Sequence, residues 1–142
     1  MNDRYLYRAK RADNGEWAEG NLVWSDDADD DYKAIIIPTT GSNMFTKGGS
    51  NGDLGFEKWY RVEPSTICQC TGLKGKNANL IFEHDIVSDE CGNVAEIIWN
   101  DAELQYLVDY EFEPMTLGEW CSVVGNIFDN PELLEAREND TY

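Results

Sequence analysis

Turn signals divide this chain into segments too short for long helices. Asp13-Asn14-Gly15, Gly48-Gly49-Ser50-Asn51-Gly52, Gly72-Leu73-Lys74-Gly75-Lys76-Asn77 and Asp89-Glu90-Cys91-Gly92-Asn93 are rich in residues that tolerate the positive backbone angles of tight turns. Between them lie short stretches dominated by aromatic and β-branched side chains, the pattern of strands. Tyr5, Tyr7 and Ala9 alternate with Leu6, Arg8 and Lys10, and Trp17–Trp24 reads as the returning strand of a hairpin. Ala34-Ile35-Ile36-Ile37-Pro38 is too brief for a helix and reads as a buried strand ended by proline.

Composition shifts to Gly, Ser, Asn and Thr from Thr39 to Gly55, which places a flexible glycine-rich loop at 46–55 and an internal boundary nearby. Phe56 to Val62 then resumes the apolar pattern, with Trp59 and Tyr60. From Thr66 the turns become regular, and strands are expected over Ile67–Thr71, Leu80–Val87, Val94–Trp99 and Leu104–Tyr110. Thr116 and Glu119 have capping-box spacing, with Gly118 opposing a helix there. Asp129 or Asn130 is placed to cap a terminal helix opening at Pro131, pinned by Leu133 and Leu134.

Three phrases carry a resemblance: Gln69-Cys70-Thr71-Gly72-Leu73, Ile81-Phe82-Glu83-His84-Asp85-Ile86-Val87, and Val124-Gly125-Asn126-Ile127-Phe128-Asp129-Asn130-Pro131-Glu132-Leu133-Leu134. Together with Arg8–Gly20, which ends in Trp-x-x-Gly, and Val62-Glu63-Pro64-Ser65-Thr66, they resemble the YopX-like family of bacteriophage and prophage proteins. The match runs in order over nearly the whole chain. It departs at Cys68 and Cys70, where the family more often shows Gly and Tyr, and at His84, where a glycine is usual. The resemblance implies a phage or prophage origin and a bacterial host's cytoplasm, and it implies no established activity. The stretch from His84 to Trp99 is also similar to the opening of an SH3-like barrel.

The 142 residues suffice for one domain or two small subdomains with a real core. The expected fold is mainly β: an N-terminal β subdomain over 1–62, a C-terminal SH3-like barrel with a short terminal helix over 63–135, and a frayed polar tail over 136–142. No run of about twenty apolar residues is present, so no spanning helix and no membrane partner is expected. The N-terminus lacks the apolar stretch of a secretion signal.

Twenty-eight Asp and Glu against eleven Lys and Arg give a formal charge of -17. Phosphate backbones would repel such a chain, which disfavours direct nucleic-acid binding. The charge suits solubility, a basic protein partner, or a surface that imitates the phosphate array of DNA.

Chemistry has few candidates. Cys68, Cys70, Cys91, Cys121 and His84 have ligand chemistry suited to zinc, but Cys-x-Cys with distant partners lacks the paired knuckles of a zinc site, and buried thiols also serve as small apolar groups. His84 is the one histidine, so any nucleophilic site must use it; on a strand, Glu83 and Asp85 would point away from it. The Asp26–Asp31 run lacks the glycine and glutamate of a calcium loop and reads as a solvated charge run. The glycine-rich stretch lacks the Lys-Ser or Lys-Thr ending of a phosphate-binding loop. No catalytic residue, cofactor or metal is therefore assigned, and a metal-dependent hydrolase is the least favoured reading.

Five tryptophans exceed what one small core holds easily, which marks Trp17, Trp24 and Trp59 as candidate interface residues. The expected role is contact with protein partners, either a host protein or further copies of the chain in a homo-oligomer, with an acidic DNA-mimic inhibitor as the alternative.

Overall fold

The computed structural model describes residues 3–26, 33–39, 43–47, 53–103, 105–109, 115–116, 118 and 120–139. The chain divides into two compact units, Tyr5–Gln69 and a second made of Cys70–Tyr142 with Met1–Arg4. Both are built from antiparallel strands, so the mainly β expectation holds.

A 3-10 turn over Asp3–Tyr5 spans the point where the chain enters the N-terminal unit, in which β1 (Tyr7–Lys10) and β2 (Trp17–Trp24) form the expected hairpin. Gly15 takes φ +73 at its turn, the conformation for which the Asn-Gly pair was read. β2 pairs with β3 (Ala34–Ile37), and β3 with the short β6 (Tyr60–Arg61). The chain then bends back to β1: Arg11 bridges Val62, Glu63 N–H donates to Lys10 O at 2.9 Å, and Ala12 N–H donates to Arg61 O at 2.9 Å. A 3-10 turn over Pro64–Thr66 follows, with the Lys10 amide donating to Thr66 Oγ1 at 2.8 Å. β7 (Cys68–Lys74) begins beside Tyr7 and Arg8. Residues 60–69 therefore link the last strand of the sheet to its first, closing a small ring.

The interior of that ring holds Ala9, Ala18, Ala34, Ile36 and Val62. Three of the five are alanines, because strands that curl through a closed ring converge on a narrow axis with room for small side chains. The contact boundary falls after Gln69, not after Val62 as expected, because the stretch from Val62 to Gln69 is hydrogen-bonded to β1.

Between β3 and β6, β4 (Met44–Lys47) pairs with β5 (Asp53–Phe56). Residues 46–47 and 53–55 of the glycine-rich loop expected at 46–55 are strand instead; its centre, 48–52, lies outside the described residues. Asn43 ties the two ends of this excursion together. Its Nδ2 donates to Pro38 O at 3.0 Å and Lys58 O at 2.9 Å, and its Oδ1 accepts from the Lys58 amide at 2.6 Å.

In the C-terminal unit the end of β7 pairs with β8 (Leu80–Phe82). A sheet of order β12-β11-β10-β9-β13 is formed by β9 (Asp85–Ser88), β10 (Val94–Asn100), β11 (Gln105–Val108), β12 (Met115–Thr116) and β13 (Ser122–Asn126). A four-strand meander with the fifth strand returning to its first is the strand order of an SH3-like fold. Among the described residues no pairing joins β12 to β13. The unit's core is Ile81, Val87, Ala95, Ile97, Val108 and Cys121, with Tyr106, Trp120 and Val123 packed against it.

Three local expectations are corrected. Leu80–Val87 is two strands, interrupted by a turn at Glu83 and His84. Thr116, expected at a helix cap, is the last residue of strand β12. The terminal helix α1 runs Glu132–Asn139, so 136–139 is helical where a frayed tail was expected, and 140–142 lies outside the described residues.

Candidate functional site

The three signature phrases meet in the C-terminal unit, and their polar residues hold turns. In the first, Thr71 Oγ1 donates to Ile81 O at 2.7 Å and accepts from the Leu73 amide at 3.2 Å. The β7–β8 register shifts between Cys70 and Lys74, and Gly72 at φ +82 forms part of that bulge. A hydroxyl that satisfies backbone groups inside a bulge, followed by a residue free to adopt positive φ, explains the Thr-Gly pair.

The second phrase makes the tightest reversal. Asp85 is 1% exposed, and its Oδ2 accepts the Phe82 amide at 2.8 Å across the turn. His84 stands at φ +70, the left-handed region in which glycine is the least strained residue. The position where the resemblance places a glycine is therefore a left-handed turn, made here by a histidine. Its backbone is held from both sides: the His84 amide donates to Ile97 O at 2.9 Å, and His84 O accepts the Ile127 amide at 3.1 Å.

The ring is held as well. Nδ1 lies 2.7 Å from Glu96 Oε2, Nε2 lies 3.9 Å from Glu83 Oε2, and the Phe128 ring meets it edge-on at 6.0 Å. Glu83 thus approaches the histidine instead of pointing away, because residues 83–84 form a turn and not an extended strand. The hydrogen bond with Glu96 raises the His84 pKa above its ordinary 6.5, against partial burial and assisted by the negative charges of Glu83, Glu96 and Asp85.

The third phrase is an asparagine-built corner. Asn126 is buried; its Oδ1 accepts the amides of Phe128 at 3.0 Å and Asp129 at 2.9 Å, and its Nδ2 donates to Asp129 Oδ2 at 3.2 Å. Asn130 returns its Oδ1 to the Asn126 amide at 3.3 Å and leads into α1. Gly125 is required because a Cβ there would sit 2.5 Å from Asn130 Oδ1.

The metal candidates do not converge. Cys68, Cys70 and Cys121 are buried and Cys91 is exposed. The Cys68 thiol donates to Thr66 O and that of Cys121 to Gly118 O, each at 3.2 Å. Among the described residues no group of three or more His, Cys, Asp or Glu side chains is arranged to hold a metal ion.

The tryptophans separate into different environments. Trp17 lies under two cations, with Arg8 4.9 Å and Lys10 5.5 Å from its ring centroid. Trp24 and Trp99 are exposed, and each donates its indole N–H to an aspartate two residues on, Asp26 at 2.7 Å and Asp101 at 2.6 Å. Trp59, 50% exposed, lines an apolar groove of about 500 Å³ with Val23, Ser25, Ile35, Ile37 and Phe56. Composition marked Trp59 as a surface candidate; the groove beside it, which depends on pairing between strands far apart in the chain, had no local signal. No helix among the described residues is long and apolar enough to cross a membrane.

Comparison with known proteins adds two findings. The family model described as YopX protein matches residues 6–135. The fold is similar to the crystal structure of protein EF1440 from Enterococcus faecalis, with a TM-score of 0.60 and 25% identity, over 90% of this chain and 96% of that one. Among curated proteins, none matches the chain.

Proposed function

The chain belongs to the YopX family, and on that premise we propose that it is a phage or prophage accessory protein that works by contacting other proteins in a bacterial cytoplasm. The observation that carries this reading is the groove of the N-terminal unit, where Trp59 and Val23, 50% and 46% exposed, stand beside Ile35 and Ile37. Grouped apolar side chains in water, with an indole among them, are the composition of a contact surface. The signature residues support it from another direction, since Thr71, Asp85, Asn126 and Asn130 are engaged in holding backbone turns.

The test is capture of host proteins on the tagged chain, with Trp59→Ser as the control. A partner retained by the parent and lost by the variant supports the reading. Absence of any partner, combined with a single 16.2 kDa species in light scattering at all concentrations, refutes it.

A second reading is favoured by the distribution of charge. Residues 70–142 contain sixteen Asp and Glu against three Lys and Arg, so most of the net charge of -17 belongs to the C-terminal unit. An acidic surface of this kind would occupy a host nucleic-acid-binding protein in place of DNA. Binding would then weaken steeply with salt, and salt-insensitive binding would exclude it.

A further inference from the structure

We propose that a hollow of the N-terminal unit binds a singly charged carboxylate joined to an aromatic body, with Arg11 and Arg61 holding the carboxylate and the Trp59 indole receiving the ring. This goes beyond the protein-contact reading and stands or falls independently of it, because the same chemistry occurs in free aromatic acids and where an aspartate adjoins an aromatic residue on a protein.

Ring closure builds the site. Arg11 and Arg61 are fifty positions apart in the sequence, and the return of the chain to β1 makes them neighbours: the Ala12 amide donates to Arg61 O at 2.9 Å, and Arg11 bridges Val62. The turn fixes the Arg11 backbone as well, its amide donating to Glu16 O at 2.8 Å and its carbonyl accepting the Gly15 amide at 2.9 Å. Both arginines line a hollow of about 320 Å³ together with Asp13, Trp59 and Tyr60. That volume lies at the lower end of ligand sites, room for a small acid or for two side chains of a partner.

Arg11 is oriented for a carboxylate before any ligand arrives. Its guanidinium lies over the Tyr60 ring, 4.2 Å from the centroid, and its Nε and Nη2 donate to the two oxygens of Asp13 at 2.9 and 2.7 Å. This two-pronged geometry is the one by which arginine recognises carboxylates. Asp13, 62% exposed on its turn, takes one edge of the guanidinium, and Nη1 on the other edge makes no hydrogen bond among the described residues. Glu16 also acts on Arg11, but it does not line the hollow, and its carboxylate accepts from Asn14 Nδ2 at 3.3 Å.

Charge selects the ligand. Two guanidiniums against one carboxylate leave the lining with a single net positive charge, in a chain whose formal charge is -17. A monoanion matches that lining. A doubly charged phosphate meets Asp13 and the excess charge of the chain with twice the repulsion, and a cation meets two arginines. Trp59, 50% exposed, supplies the flat wall on which an aromatic body packs.

The test follows the indole and arginine Nε–H signals of the isotope-labelled full chain during titration with phenylacetate, its neutral amide phenylacetamide, and phenyl phosphate. Phenylacetate should move the Trp59 indole and the Arg11 Nε–H with a dissociation constant of about 1 mM, the range of so small a ligand. Phenylacetamide should bind about tenfold more weakly, having lost charge-assisted hydrogen bonds, and Arg61→Gln should weaken phenylacetate by about the same factor. Asp13→Asn removes the competing carboxylate with a residue that still suits a turn. In that variant phenylacetate should bind about threefold tighter and phenyl phosphate about tenfold tighter, the effect of one deleted charge on a monoanion and on a dianion. If Asp13 and Arg11 served only to hold the turn, no such gain would appear.

The source of the carboxylate is read with a blocked peptide, acetyl-Ala-Asp-Phe-Ala-amide. Peptide binding as tight as that of phenylacetate or tighter assigns the site to a segment of a protein, and weaker binding assigns it to a free acid. Equal binding of phenylacetate and phenylacetamide, shifts centred away from the hollow, or unchanged affinities in Asp13→Asn overturn the proposal.

Discussion

Replacing His84 separates two opposing contributions at one residue. The backbone at φ +70 costs a non-glycine residue about 1 kcal/mol net, after allowing for glycine's greater freedom in the unfolded chain. The ring offsets this through its 2.7 Å contact with Glu96. Both side chains are partly exposed, 31% and 22%, so the charged pair contributes only about 1 kcal/mol. His84→Ala keeps the strained backbone and loses the pair. His84→Gly loses the pair and relieves the backbone.

The pH dependence follows from the raised His84 pKa. The folded imidazole holds its proton more tightly than the unfolded one, so the pair contributes in full below 6.5 and fades as pH rises through the folded value. Thermal unfolding is measured for parent, alanine and glycine variants at about pH 5.5 and about pH 9, on either side of histidine titration. At the lower pH the alanine variant should melt about 3 °C below the parent, taking about 1 kcal/mol as about 3 °C for a chain of this size. At the higher pH that gap should shrink to about a third, the remainder being the neutral hydrogen bond. The glycine variant should melt about 3 °C above the alanine variant at both pH values, because the backbone contribution carries no charge. A parent-to-alanine gap that does not change with pH refutes the ion-pair argument, and a glycine variant no more stable than alanine refutes the strain argument.

Ala78 offers a cleaner case of the same strain: it is exposed at φ +62, and Ala78→Gly should raise the melting temperature by about 2 °C. Asn126→Ala leaves the partly buried amides of Phe128 and Asp129 without their acceptor, and denaturant titration should show a loss of about 1 to 2 kcal/mol. Gly75→Ala places a Cβ 2.7 Å from the backbone oxygen of Cys121, and the same titration should show a loss of about 1 to 3 kcal/mol. A thiol reagent added to the native protein should label Cys91 rapidly, whereas Cys68, Cys70 and Cys121 should react only on unfolding.

Local pattern announced much of this fold. Trp17–Trp24 and Ala34–Ile37 occupy their expected borders because alternation, β-branching and flanking turn residues agree there. Leu80–Val87 misled because both β8 and β9 are apolar, so periodicity continues through the reversal between them. The glycine usual at position 84 was the available sign of that turn, and a histidine held by Glu96 replaced it. Ring closure by residues 60–69 was not legible, since Arg11 and Val62 are fifty-one positions apart and nothing near either one records the other. The groove shares that origin: Val23, Ile35 and Trp59 are each ordinary strand residues or neighbours of one, and only their assembly makes a surface.

Asn43 has a further consequence for how the N-terminal unit tolerates change. One carboxamide fastens Pro38 to Lys58, at the point where β3 and β6 already lie side by side. The paired strands β4 and β5 lie between these two anchor points, so lengthening the connection from β4 to β5 adds only about 0.6 kcal/mol of closure entropy for each doubling. A reporter peptide or a small independently folding module grafted between Lys47 and Asp53 should be tolerated, provided Asn43 keeps Pro38 and Lys58 tied.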